Sequence, residues 1–196
     1  MLNRKETVMD NRLKKLTYTV MFIAVNYVVF TYGKINIAIT AGHSTAIHVA
    51  NAVVVLSSWL LGPLYGGIAG AVGLSIADLL DPRYITSAPK TFIMKFLIAL
   101  VAGYTARKLK LHEKTERKDI IKTAGLSALC AMVFNVIVDP IFGYFYKKLI
   151  LRIPAEAASI ILTWSAGVTA LNGAVCTVVS VLLYLALYKP FRTIYK

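Results

Sequence analysis

Apolar residues run in long blocks separated by short polar breaks. The blocks fall at about 16–32, 48–61, 64–80, 91–106, 123–144 and 159–187. Uninterrupted apolar runs of this kind predict helices that cross a membrane, and the last is long enough to project beyond a hydrocarbon core of about 30 Å. The pattern predicts an all-α fold: one domain, residues 1–196, of six transmembrane helices. Gly62-Pro63 separates the second and third blocks, because both residues punctuate helices. Residues 33–47, GKINIAITAGHSTAI, alternate apolar and polar positions. We read them as a loop of the length that often carries function. Residues 107–122 form the one strongly hydrophilic connection.

Composition agrees with the pattern. Hydrophobic residues make up 58% of the chain and charged residues 16%, where a soluble domain carries about 25% charge. The first block lacks a short apolar core followed by a small-residue cleavage site, so it reads as a retained helix and not a signal peptide. Cys130 and Cys176 sit inside apolar blocks, as small packing residues do.

The net charge of +13 would suggest a nucleic-acid partner in a soluble protein. Its distribution gives another account. The N-terminal segment, the 107–122 connection and the tail together hold 15 of the 22 Lys and Arg residues. The three alternate connections hold 6, and Lys95 lies inside the fourth block. Positive residues concentrate on the cytoplasmic side, which predicts cytoplasmic termini, external loops at 33–47, 81–89 and 146–158, and no nucleic-acid partner.

Under that topology the intramembrane polar residues gather near the outer face. They are His48, Asn51, Asp78, Lys95, Asn135, Asp139, Trp164 and Asn172, with Tyr84 in the connection above them. Insertion scales place a charge at a helix centre at roughly 2.5–3.5 kcal/mol, so such residues usually face a cavity or a partner. Together they predict a pocket open to the exterior. Several have a plainer reading. Asp78 and Lys95 either neutralise each other or contact a ligand. Asn51 either caps its helix or lines the pocket, and lining is favoured because the capping position falls nearer His48. Trp164 fits an interfacial anchor as well as a stacking residue. His43 and His48 lack neighbouring carboxylates or thiols and make a poor metal pair. The glycines at 66, 67, 70 and 73 suit close helix packing.

No enzyme motif stands out: H-E-x-x-H, G-x-S-x-G and the phosphate-cradling loop are all absent from the sequence. With no nucleotide motif, active transport needs energy from elsewhere. The residues themselves point to a membrane protein with a binding pocket for a small solute, and a solitary secondary transporter or channel subunit for a small polar solute is one function they allow.

Residues 48–103 carry H-x-x-N, then LLGPLYGGIAGAVGLSIADLL, then an aromatic residue at Tyr84 followed by AP-x-TFIMK and a glycine. This stretch resembles the substrate-binding S components of energy-coupling factor (ECF) vitamin transporters, nearest the riboflavin, hydroxymethylpyrimidine and pyridoxine branch. The resemblance implies a multi-pass protein of the bacterial cell membrane that binds a vitamin from outside, with loop 33–47 over the pocket. It implies an ECF transmembrane coupling protein and two cytoplasmic ATPases as partners, with ATP and Mg on those partners and no cofactor in this chain. It also implies release by toppling of the whole subunit. Contact with the coupling protein is expected at small residues. Ala24 with Val28 stands where several relatives carry two alanines four apart, and Gly62, Gly66 and Gly70 offer further small surfaces.

Overall fold

The computed structural model describes residues 2–40 and 43–194. Among these are six α-helices: α1 (Leu2–Tyr32), α2 (Ala50–Leu61), α3 (Pro63–Leu79), α4 (Ala88–Lys108), α5 (Arg117–Phe145) and α6 (Ala155–Ile194). The segment read as a loop is instead a two-stranded antiparallel hairpin, β1 (Lys34–Thr40) and β2 (His43–His48). The alternation of KINIAIT is the period-two pattern of a strand. Lys34 pairs with His48 and Asn36 with Ala46, and a register shift falls between Ala38 and Thr40.

Among the described residues, four helices are long and apolar enough to cross a membrane: α1, α4, α5 and α6. The expected second and third spans are shorter, with 12 residues in α2 and 17 in α3. At 1.5 Å per residue α2 extends about 18 Å. It does not need to reach both lipid faces, because it is enclosed by protein. Every residue from Ala50 to Trp59 is buried, with α1, α3, α4 and α6 around it.

Chain reversal between α2 and α3 takes a single residue. Gly62 has φ +93°, in the left-handed region that side chains resist, and Pro63 starts α3 with a fixed φ and no N–H to satisfy. The antiparallel helix pair that results is tightly packed. A Cβ on Gly66 would collide with the backbone of Ser57 and Ser58, and one on Gly70 would come within 2.8 Å of Val54. Gly66 and Gly70 therefore face inward and are buried, and the small surface expected there for a partner is used inside the chain. Gly62 lies beside the Arg107 side chain. Ala24 and Val28 lie on the exposed side of α1.

The helices alternate in direction. At one end of the bundle Lys34 reaches Asp81, Tyr84 reaches the hairpin, and Tyr146 reaches the Thr86 carbonyl. Toward the other end Trp59 Nε1 donates to Ser127 Oγ at 3.0 Å, Ser127 Oγ donates to the Ala102 carbonyl at 2.7 Å, and Trp59 meets Tyr184 edge-on. This second cluster joins α2, α4, α5 and α6 and fills that half with buried side chains. The short, sunken α2 leaves space at the hairpin end, and the cavity forms there.

Candidate functional site

Each wall of the cavity comes from one face of one element. On α4, Ser87 at the cap, Thr91 and Lys95 follow a four-residue spacing, which stacks them along one helical face. Asn135 and Asp139 do the same on α5, and Ser165, Thr169 and Asn172, spaced four and three apart, share one face of α6. Asn51 stands in the first turn of α2 and Asp78 in the last turn of α3. Strand β2 closes the top with His48 at its end. The atom-free space in and above the cavity is about 730 Å³, open solvent at its mouth included.

Eight of the nine residues expected to form a pocket line this cavity: His48, Asn51, Asp78, Tyr84, Lys95, Asn135, Asp139 and Asn172. Trp164 does not. It is 54% exposed, and α6 turns its neighbour Ser165 inward instead. His48 ends the strand and does not open α2, so His48 and Asn51 converge from two elements. The His43 side chain lies outside the described residues, and no group of three metal-ligating side chains occurs among those described.

The charge pairing differs from the simplest expectation. Asp139 pairs with Lys90 at 2.9 Å, both side chains 14% exposed. Asp78 accepts a hydrogen bond from Thr91 Oγ1. Lys95 is only 8% exposed, and among the described residues no hydrogen bond or ion pair reaches its Nζ. Lys90 escaped the sequence reading because it follows Pro89 and looked like part of a connection. The helix begins at Ala88, with Pro89 in its first turn, which puts Lys90 on the cavity wall.

Several polar atoms here are buried without partners: Asn51 Oδ1, Asn135 Oδ1, Asp78 Oδ1 and His48 Nδ1. Burying a polar atom unpaired costs about 1–3 kcal/mol. Concentration of four such atoms on one cavity is the mark of a site that completes its hydrogen bonds with something else.

The hairpin is fastened over this space on two sides. Asn172 accepts from the His48 N–H at 3.1 Å and donates to the Ala46 carbonyl at 2.9 Å. On the other side Lys34 pairs with Asp81 at 2.9 Å, and Asp81 also accepts from Arg83 Nε at 3.0 Å. The Arg83 guanidinium and the Lys34 ammonium hold the Asp81 carboxyl well below the usual carboxylate range. The Tyr84 hydroxyl donates to the Thr45 carbonyl at 3.1 Å. Asn36, in the amide orientation that satisfies both ends, donates to Tyr84 at 2.8 Å and accepts from Arg83 at 3.0 Å. Burial raises the Tyr84 hydroxyl to about 12, so it remains a donor at physiological pH. Lys34 Nζ also sits 4.6 Å from the ring centroids of both Phe30 and Tyr84.

Comparison with known proteins places this arrangement in a family. A solved S component of a bacterial ECF transporter matches with TM-score 0.58 and 20% identity, over 91% of this chain and 97% of that one. That likeness establishes the shared fold. Comparison with curated proteins gives no match. The family model described as "ECF-type riboflavin transporter, S component" matches residues 10–189, nearly the whole chain. The chain is thus an integral membrane protein that belongs to the S-component family of ECF-type transporters, whose members are substrate-binding subunits and not enzymes.

Proposed function

We propose that this S component captures a vitamin or vitamin precursor in the cavity beneath the β1–β2 hairpin, from the outer face of a bacterial cell membrane. The observation that carries this reading is the set of four unpartnered buried polar atoms on Asn51, Asn135, Asp78 and His48, all facing one covered space. A small, hydrogen-bonding solute satisfies them; lipid does not. The outward orientation of the hairpin rests on the excess of Lys and Arg at the opposite end.

Delivery inward is proposed to require an ECF coupling protein and two ATPases, which hold ATP and Mg. With α2 enclosed and its ends covered, the cavity is part of one packed bundle, and toppling of that bundle moves the site across the membrane without opening its core. The exposed surface around Ala24 and Val28 on α1 is the proposed contact for the coupling protein. Uptake in proteoliposomes tests the reading. Concentration of a vitamin only with the coupling module and internal ATP is expected. Accumulation by the purified chain alone, driven by an ion gradient, would instead mark a secondary transporter.

A further inference from the structure

Three ammonium groups, Lys90, Lys95 and Lys147, line the cavity with two carboxylates, Asp78 and Asp139. Asp139 is committed to Lys90 at 2.9 Å. Asp78 takes its hydrogen bond from Thr91. Lys95 is 8% exposed, and among the described residues it has neither an ion pair nor a hydrogen bond at Nζ. Lys147 lines the cavity and the narrow cleft that continues from it past Pro140 and Ser165, and it too has no ion pair among the described residues. A buried ammonium that makes no direct ion pair or hydrogen bond is costly to keep charged, even with Asp139 and Asp78 on the same cavity wall. The cavity therefore holds a surplus of one positive charge at the place where its hydrogen bonds are incomplete.

We propose that the ligand carries a carboxylate group and that Lys95, with Lys147 beside the adjoining cleft, supplies the charge that selects it. This rests on the vitamin-binding reading and narrows its substrate class. One carboxylate matches the surplus of one charge, whereas a phosphate dianion exceeds it. The unpartnered acceptors Asn51 Oδ1, Asn135 Oδ1, Asp78 Oδ1 and His48 Nδ1 call for donors on the rest of the same molecule. The class is thus a small carboxylic acid that also bears hydroxyl or N–H groups. A neutral tricyclic ring fits less well. Phe30 and Tyr84 supply the six-membered aromatic rings of the cavity lining, and Lys34 Nζ lies 4.6 Å from each centroid.

The test is calorimetric titration of the full-length purified protein with three carboxylate vitamins (nicotinate, pantothenate and biotin) and their uncharged counterparts (nicotinamide, panthenol and biotinamide). Riboflavin and pyridoxine serve as neutral controls. At least one carboxylate is expected to bind about 10- to 100-fold more tightly than its counterpart, the range set by a charged hydrogen bond. Lys95→Met should abolish that preference, Lys95→Arg should retain most of it, and Asn135→Ala should weaken both members of the pair alike. Lys95→Met should also melt no lower than the wild type without ligand, because it removes an unpaired buried charge. Tighter binding of riboflavin or pyridoxine overturns the carboxylate proposal and leaves vitamin binding standing. Binding of no carboxylate in the panel, or a preference that survives in Lys95→Met, also overturns it. Failure of uptake with the coupling module, scored separately, counts against the vitamin-binding reading itself.

Discussion

Asn172, in the middle of α6, holds the backbone of β2 next to His48 with both ends of its amide. It accepts from the His48 N–H at 3.1 Å and donates to the Ala46 carbonyl at 2.9 Å. One side chain thus fixes the roof of the cavity to its wall, across 124 residues of sequence. Asn172→Leu should leave the six helices intact and free the hairpin, at about 1–3 kcal/mol for two buried backbone groups left unpaired. Hydrogen exchange should show faster exchange at the His48 amide, with α2 unchanged. Equal protection in the variant would mean that other contacts hold the hairpin.

The Lys90–Asp139 pair joins α4 to α5 at the cavity wall. Removing one partner strands the other. Asp139→Asn should cost about 3 kcal/mol, the low end for a buried pair because both side chains retain some exposure. Lys90→Met combined with Asp139→Leu should recover much of the loss. Melting of Asp139→Asn, of the single variants Lys90→Met and Asp139→Leu, and of the double variant in detergent checks this, and additive losses in the double variant would show that the two residues act independently.

Acid should affect the latch at Asp81 late. Its carboxyl titrates below the usual range because Arg83 and Lys34 stabilise the charged form. A depressed folded-state pKa contributes stability above the unfolded value of about 3.9, and that contribution is lost as pH falls below it. Tyr84 behaves in the opposite sense. Its pKa is raised to about 12, so its contribution is complete below the unfolded value of about 10 and fades as pH rises toward 12. The difference in melting temperature between wild type and Asp81→Asn should therefore be flat from about pH 5 to 9 and shrink toward pH 3. A difference that grows on acidification would reverse the assigned sign.

Gly66 admits no side chain where α3 crosses α2. Gly66→Ala should lower stability by about 1–3 kcal/mol through overpacking against the Ser57–Ser58 backbone. Ala24→Leu, on the exposed side of α1, should leave the melting temperature unchanged and weaken assembly with the coupling module. Thermal melts and co-purification separate these effects. A stable Gly66→Ala protein would contradict the packing described.

The sequence exposed the helices well because each is a long apolar block, and exposed most of the site because polar residues inside such blocks are few. The alternation of KINIAIT was visible, but a strand needs a partner, and the pairing of Lys34 with His48 depends on how the chain folds back. The ion pairs were harder. Asp78 and Lys95 looked complementary, yet Asp139 takes Lys90, a choice made by side-chain reach between α4 and α5. The same limit applied to Gly66 and Gly70. Small residues announce a close contact, while only the fold shows that the contact is with α2 and not with another protein. Trp164 fell on the outer face of α6 because one position along a helix turns the side chain by about 100°.

Above all, the unpartnered atoms beneath the hairpin should hold a bound solute. Mass spectrometry of small molecules released from the purified protein tests it most directly, with wild type compared to an Asn51→Ala/Asn135→Ala variant of unchanged melting temperature. The wild type should release one vitamin-like compound in near-stoichiometric amount, and the variant should release little or none. A wild type that carries no such compound, or a variant that carries it at undiminished occupancy, would contradict the assignment of this cavity.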